Sequence, residues 1–350
     1  MERTKKPTSL GEQMTRKAPG KLKAKNEYDG DFGTVISTGS TLLNLAISGG
    51  RICGGGLPGG ILVEIFGPSG SGKTVLLSEI AGAVQRQGGE IMFHDPEARL
   101  NKLFAQLFGL ELNDKDYSRP NTVPEVFKAV RAWEPQNIKK INGVMADSLA
   151  ALSTSMEMEK DEGDKMGMRR AKEFSEELRK TARILTENNY LMVCSNQVRV
   201  NADAGPYGQK YRTPGGEAVG FYASLRLRVS TPTKIKEKKS VRGKEEVRVS
   251  GVEVEIEVFK SSIWKPYHTA PVTILFDYGI DDIRQNLQFI KDHSKSSMYT
   301  LGGETLSKSM SDAIAIVEED HLQEELREEV IDLWEMIEKQ FKSKREPKIR

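Results

Sequence analysis

The sequence predicts an α/β protein with a mostly parallel central sheet, antiparallel strands at one edge and a small C-terminal α/β or helical domain. Three observations carry this reading. Short apolar runs alternate with helical patterns from about residue 40 to residue 225, as in strand–helix–strand units around a parallel sheet. A glycine-rich phosphate-binding motif joins the first buried run to the helix after it. Beyond residue 225 the apolar runs follow one another without helices between them, which suits antiparallel additions. A chain of 350 residues allows one large domain with appendages, or two or three smaller ones.

Residues 1–30 hold eight Lys/Arg against four Asp/Glu and almost no large apolar side chains. The expected first unit is therefore a basic arm, residues 1–32, either mobile or ordered by a partner. The main domain is expected over 33–285. Leu42, Leu43, Leu45, Ala46 and Ile47 suggest a short helix, and Gly49–Gly60 a glycine-rich connector. Ile61–Phe66 reads as a buried strand and Val75–Gln87 as the helix after it. Glu90–His94, Val144–Asp147 and Tyr190–Ser195 read as further strands, with a helix over Met168–Asn188. Leu225–Val229, Val252–Val258 and Val272–Phe276 supply the antiparallel edge, and Lys234–Lys244 reads as a basic turn at the tip of a protruding hairpin. A small domain is expected over 286–341. In it Leu322, Leu326, Val330, Leu333, Ile337 and Phe341 recur every three or four residues, forming one stripe of a long helix. Residues 342–350 are a basic tail.

Composition narrows the function. Lys and Arg total 52 against 50 Asp and Glu, a net charge of +2. That argues against coating nucleic acid by bulk charge but leaves room for a local basic channel. Mean hydropathy is −0.48, and no run reaches the ~18 apolar residues of a membrane-spanning helix, so no membrane partner is expected. The two cysteines, Cys53 and Cys194, exclude a disulfide scaffold and suit a reducing compartment. The N-terminus carries no secretory pattern. A cytoplasmic protein is expected.

Gly67, Pro68, Ser69, Gly70, Ser71, Gly72, Lys73 and Thr74 match GxxxxGK[ST] between a strand and a helix. Such a loop turns its backbone N–H groups toward the phosphates, and the helix N-terminus adds partial positive charge. Lys73 would reach the β- and γ-phosphates and Thr74 would ligate Mg²⁺, so the site takes a nucleoside triphosphate. Asp147, at the end of another strand, is the candidate second metal residue. Capping of the following helix is its other reading. Hydrolysis needs a group to orient or deprotonate water. Glu97, in Asp95-Pro96-Glu97 just past a strand end, is the candidate, with a solvated loop acid as the alternative. His94 reads as a strand-end residue without a ligand role.

Further motifs give a family resemblance. Ile36-Ser37-Thr38-Gly39-Ser40, Val63-Glu64-Ile65-Phe66-Gly67-Pro68, Ser195-Asn196-Gln197-Val198-Arg199, Pro214-Gly215-Gly216-Glu217-Ala218 and Phe221-Tyr222-Ala223-Ser224-Leu225-Arg226-Leu227 occur in the order and spacing of the RecA family of DNA recombinases. The resemblance runs from Gly33 to about Ile280. The chain's compact size and its divergences look more like a phage or mobile-element (UvsX-like) member than a bacterial housekeeping one.

The resemblance implies a RecA-type ATPase core, with ATP and Mg²⁺ bound between neighbouring subunits of a helical filament. It implies single-stranded and double-stranded DNA as partners, homologous pairing and strand exchange, and a single-strand-binding protein or loader as a further partner. Glu97 falls on the family's catalytic glutamate and Phe104 where an aromatic stacks on adenine. Gln197 falls on the glutamine that senses the γ-phosphate. Lys260 falls on a lysine that reaches the neighbour's ATP, whereas Ser262 stands where a second lysine is usual. Asn201 stands where a lysine is common. Two DNA loops are implied, about 156–168 and 199–214. The candidate DNA contacts are Arg170, Arg179 and Arg199 on the backbone, Met166 or Val200 between bases, and Gly215 and Gly216 close to phosphate. A solvated helix face is the other reading of 169–180. A RecA-fold ring ATPase and a slow-turnover DNA-binding mediator are the alternative functions. The Gln197–Ser224 stretch favours the recombinase over the ring.

Overall fold

The computed structural model describes residues 34–50, 55–154, 166–200, 211–212 and 217–345. The N-terminal arm, Cys53, residues 156–165, Gly215, Gly216 and the last five residues lie outside these. Strands β1 (Val35–Ile36) and β2 (Leu57–Pro58) form a small antiparallel ladder. Helix α1 (Thr41–Ser48) lies between them. Ser40 caps it by accepting from the Leu43 N–H, and Gly49 ends it in the left-handed region at φ 74°.

The sheet core follows in strand–helix alternation. Its elements are β3 (Ile61–Gly67), α2 (Lys73–Arg86), β4 (Ile91–His94), α3 (Lys102–Leu107), β5 (Tyr117–Ser118), α4 (Val123–Ala132), β6 (Asn142–Ala146), α5 (Met166–Glu187) and β7 (Tyr190–Gln197). A two-residue ladder, β8 (Arg199–Val200) with β9 (Tyr211–Arg212), and helix α6 (Glu217–Tyr222) lead to β10 (Leu225–Val229). Then come β11 (Thr233–Val241), β12 (Lys244–Ser261), β13 (Thr269–Leu275) and β14 (Gly279–Ile280).

The main sheet has ten strands in the order β14-β13-β12-β10-β3-β7-β6-β4-β5, with β11 also on β12. Strands from β10 to β5 are parallel, and those beyond β10 are antiparallel. One face packs Val63, Ile65, Leu77, Ile80, Val193, Leu227 and Val258 into the larger core. The other packs Leu62, Val144, Met192 and Cys194 against Phe127, Phe174 and Leu178 of α4 and α5. Strands covered on both faces read as continuous apolar runs, which is why Ile61–Phe66 was legible.

Three expectations need correction. Lys234–Lys244 is a protruding hairpin, as expected, but its turn is much shorter. Lys234–Val241 pairs antiparallel with β12, and the reversal is confined to Arg242 and Gly243, both at positive φ. Beyond the register shift at Ile235/Lys236 the two strands run on as a ribbon of exposed side chains. Second, the boundary expected at 285/286 falls inside helix α7 (Asp282–Asp292). Half-buried Asp282 accepts from the Thr41 N–H and hydroxyl, each at 2.7 Å, tying this helix to α1. The small domain is α/β: after α7 come the hairpin β15 (Tyr299–Leu301) and β16 (Glu304–Ser307), then α8 (Met310–Glu319) and α9 (Gln323–Gln340). Third, the α9 stripe buries Leu326 and Val330, but Phe341, at the helix C-cap, is 80% exposed.

His94 ends β4 buried, with Nδ1 2.7 Å from the Ser118 hydroxyl and Nε2 without a partner among the described residues. Burial pushes its pKa down to about 4. The unfolded imidazole titrates near ~6.5, so its neutral-state stability is complete above that pH. It is lost as the pH falls toward the folded value. Between pH 7 and pH 4, His94 should remove about 3 kcal/mol of stability. Denaturant unfolding of the wild type and of His94→Gln at both pH values measures this. The pH-dependent loss should be smaller in the variant by about that amount.

Candidate active site

The phosphate loop begins where β3 ends. A side chain on Gly67 would put its Cβ 2.6 Å from the Val229 carbonyl oxygen, so only glycine lets β3 run so close to β10 here. Gly72 opens α2 at φ 82°, and a Cβ there would collide with Ile274. The loop is thus pressed against the antiparallel edge, with the first N–H groups of α2 beside it. Lys73 Nζ donates to the Gly67 and Pro68 carbonyls at 3.1 and 2.7 Å. Burial pushes its pKa below the ordinary lysine value, and the Asp147 and Glu97 carboxylates oppose this. The ammonium is therefore held inside the loop, partly desolvated, where it attracts an anion strongly.

The other groups come from the C-terminal ends of β4, β6 and β7. The Thr74 hydroxyl donates to Asp147 Oδ2 at 2.5 Å, and the Ser195 hydroxyl donates to Oδ1. Burial raises the Asp147 pKa while these two hydroxyl bonds lower it. Glu97 Oε1 accepts from the Ser148 hydroxyl at 2.9 Å and from Gln197 Nε2 at 3.3 Å. Its Oε2 pairs with Arg99 at 2.8 Å. Asp95 is occupied by the fold: its Oδ2 accepts from the Leu100 N–H and the Tyr117 hydroxyl, both at 2.8 Å.

These residues line a cleft of about 320 Å³ that includes Ser69, Lys73, Thr74, Glu97, Asp147 and Gln197. Phe104 lies on its wall, edge-on to Phe108 with ring centroids 4.7 Å apart. Thr74 and Asp147 present hard oxygen donors side by side, which fits Mg²⁺. Among the described residues no three His, Cys, Asp or Glu side chains form a cage of their own. That matches an ion taking most of its ligands from phosphate and water.

A model of the RecA N-terminal domain matches residues 15–281. The chain belongs to the RecA family. It is 35% identical over 252 residues to Protein RecA of Thermus thermophilus, covering 71% of this chain and 69% of that protein. It is 32% identical over 292 residues to Protein RecA of Methylococcus capsulatus, covering 82% and 79%. Against Protein RecA of Delftia acidovorans the figures are 31% over 285 residues, 80% and 73%.

Within this RecA fold the phosphate loop, Glu97, Phe104, Asp147 and Gln197 converge on the cleft. Lys260 does not. Its Nζ donates to the Gly220 and Phe221 carbonyls at 2.9 and 3.0 Å, at the end of α6. Met166 stands in the first turn of α5, not in a loop. Arg199 and Val200 belong to the β8–β9 ladder. Arg170 and Arg179 were expected on one DNA backbone. They are nine residues apart on one helix, and at ~100° per residue that puts them on opposite sides. Arg170 is half-buried and donates to the Leu152 carbonyl, while Arg179 is exposed.

Sequence reasoning missed Ser148, Ser195 and Arg99 as partners of the two acids. Ser195 lay in a quoted motif, and a hydroxyl at a strand end beside an acid was the available signal. Removing the Lys73 ammonium should cost about 3 kcal/mol of nucleotide binding, or roughly a hundredfold in Kd. Titration calorimetry of Lys73→Ala with ATP and Mg²⁺ checks this, and Arg99→Ala serves as a control expected to change Kd little.

Proposed function

We propose that the chain works as an ATP-dependent recombinase, a DNA-dependent ATPase that assembles on single-stranded DNA as a helical filament and catalyses homologous pairing and strand exchange. The observation that carries this is the convergence of Lys73, Glu97 and Gln197 on one cleft. Gln197 is the last residue of β7 before the chain passes toward the 199–214 segment. A water-activating acid, a phosphate-holding ammonium and a neutral amide thus share the mouth of a loop expected to bind DNA.

The loop N–H groups and Lys73 hold the ATP phosphates. Mg²⁺ between Thr74 and Asp147 would neutralise charge on the β- and γ-phosphates. Glu97, steadied by Ser148, accepts the proton of the attacking water. The Gln197 amide donates to Glu97 in this structure. With ATP bound it turns to a γ-phosphate oxygen, and loses that bond after hydrolysis. Phe104 lies where it can pack on the base. Lys260 of a neighbouring subunit closes the site, giving up its carbonyl partners at α6. DNA contacts are assigned to Arg179, Arg199, Gly215 and Gly216 through the phosphate backbone, and to Met166 and Val200 against bases. Such contacts give affinity without sequence preference. The protein works in the cytoplasm. Its affiliation with the phage or mobile-element side of the family rests on compact size and on departures such as Ser262.

Among the described residues no helix is long and apolar enough to cross a membrane. Replacing Glu97 by Gln keeps its volume and its bond from Ser148 but removes the base. Hydrolysis stimulated by single-stranded DNA should fall about a hundredfold, while ATP-dependent DNA binding persists. Electron microscopy of the same variant with ATP and single-stranded DNA should show helical filaments. Closed hexamers would overturn the recombinase reading in favour of a ring motor.

A further inference from the structure

Glu64 sits in the middle of β3 with no exposed surface, and none of the cleft chemistry uses it. Its two carboxylate oxygens go to different places. Oε1 accepts from Asn196 Nδ2 at 2.9 Å. Oε2 accepts from Arg226 Nε at 2.6 Å.

Each partner leads to one end of the same stretch of chain. Asn196 precedes Gln197, and its Oδ1 accepts the Gln197 backbone N–H at 3.0 Å. The strand therefore leaves the sheet toward residues 198–216 from a residue whose side chain is fixed by Glu64. The chain returns through α6, and there Arg226 takes over. A Cβ added to Gly220 of that helix would stand 2.9 Å from Arg226 Nη1. Arg226 is also the direct cross-strand neighbour of Lys260, whose ammonium holds the last carbonyls of α6. The Arg226 guanidinium lies 4.7 Å from the Phe66 ring centroid and 5.4 Å from that of Phe259, so it has little room to swing away. Glu64, Arg226 and Lys260 lie in one row across β3, β10 and β12.

We propose that Glu64 is a positioning residue that couples the nucleotide cleft to the 198–216 segment and to Lys260. It does so by fixing Asn196–Gln197 and Arg226–α6 to a single buried carboxylate. The proposal rests on the recombinase reading of the cleft. The physical reason is that a fully buried carboxylate cannot release Asn196 without leaving an oxygen unsatisfied, or Arg226 without leaving its charge uncompensated. A shift of the Gln197 backbone, when its amide finds or loses a γ-phosphate, is therefore passed to Arg226 rather than absorbed locally.

Glu64→Gln tests this, because the amide keeps the volume but can accept at one oxygen only. Three quantities are measured on the full chain: ATP affinity by calorimetry, single-stranded DNA affinity with and without a non-hydrolysable ATP analogue, and thermal stability. ATP affinity should stay within about twofold of wild type, since Glu64 touches no cleft residue. The tightening of DNA binding by the analogue should shrink about tenfold, a typical size for coupling between sites. An unchanged tightening in the folded variant overturns the proposal. Asn196→Ala serves as the second variant, since it cuts the Gln197 side and leaves the Glu64–Arg226 pair intact. It should lose the same coupling, and retention there also overturns the proposal. A wild-type protein whose DNA affinity ignores the analogue would sink the recombinase reading itself, and this inference with it.

Discussion

Everything functional here depends on β3 being held between two parallel neighbours with both faces covered. Its register with β7 runs unbroken from Ile61↔Leu191 to Gly67↔Gln197. That pairing brings the start of the phosphate loop level with the residue expected to sense the γ-phosphate. On the other side β10 pairs with β3 from Val63 to Phe66, and the Val229 carbonyl presses on Gly67. A slip of one residue would turn every side chain of β3 to the opposite face. It would expel Glu64 from its donors and misplace the loop. Position at the strand ends is thus set by packing far below the cleft.

The cleft gathers acids that would repel one another if left free, and the fold treats each separately. Asp95 is spent on a backbone N–H and a tyrosine, Asp147 on two hydroxyls, and Glu97 on a hydroxyl, an amide and an arginine. Only the last two keep partners that nucleotide and Mg²⁺ can replace. The Thr74 and Ser195 hydroxyls can rotate away from Asp147, and Gln197 can leave Glu97 for a phosphate. Asp95 cannot give up its bonds without loosening the turn that carries Glu97. This separates a structural acid from the two candidate functional ones, only two and fifty-two residues away.

Much of this was legible in the sequence, for identifiable reasons. The parallel strands are doubly buried and so continuously apolar, and the phosphate loop needs a fixed spacing of glycines, so both left strong marks. Lys234–Val241 left a misleading one. An exposed ribbon has no buried face to enforce alternation, and its run of Lys and Glu resembles a turn. Grouping Arg170 with Arg179 weighed residue type without helical phase, which puts them on opposite sides of α5. Glu64 was in plain view within ILVEIF, where an acid in a buried run signals a fixed partner. Its donors lie 132 and 162 residues away in sequence, so only the assembled sheet could name them.

The change of strand direction at β10 gives the edge of the sheet a different character from its centre. From β10 outward one face is core, with Leu225, Leu227, Val254 and Val258 buried, while Arg228, Glu253, Glu255 and Glu257 line the other. An antiparallel edge tolerates one wet face, as the parallel centre does not. Lys260 lies at this boundary, where burial and the nearby Arg226 push its pKa below the ordinary lysine value and Glu64 opposes them. An ammonium already partly stripped of water gives up less hydration when it meets a phosphate than one in bulk solvent does. Its two carbonyl partners are neutral, so a phosphate of a neighbouring subunit can outbid them electrostatically. In the proposed assembly, with Ser262 in place of a second lysine, that exchange falls on Lys260 alone. In that assembly the row anchored on buried Glu64 matters more than it would beside a redundant cation.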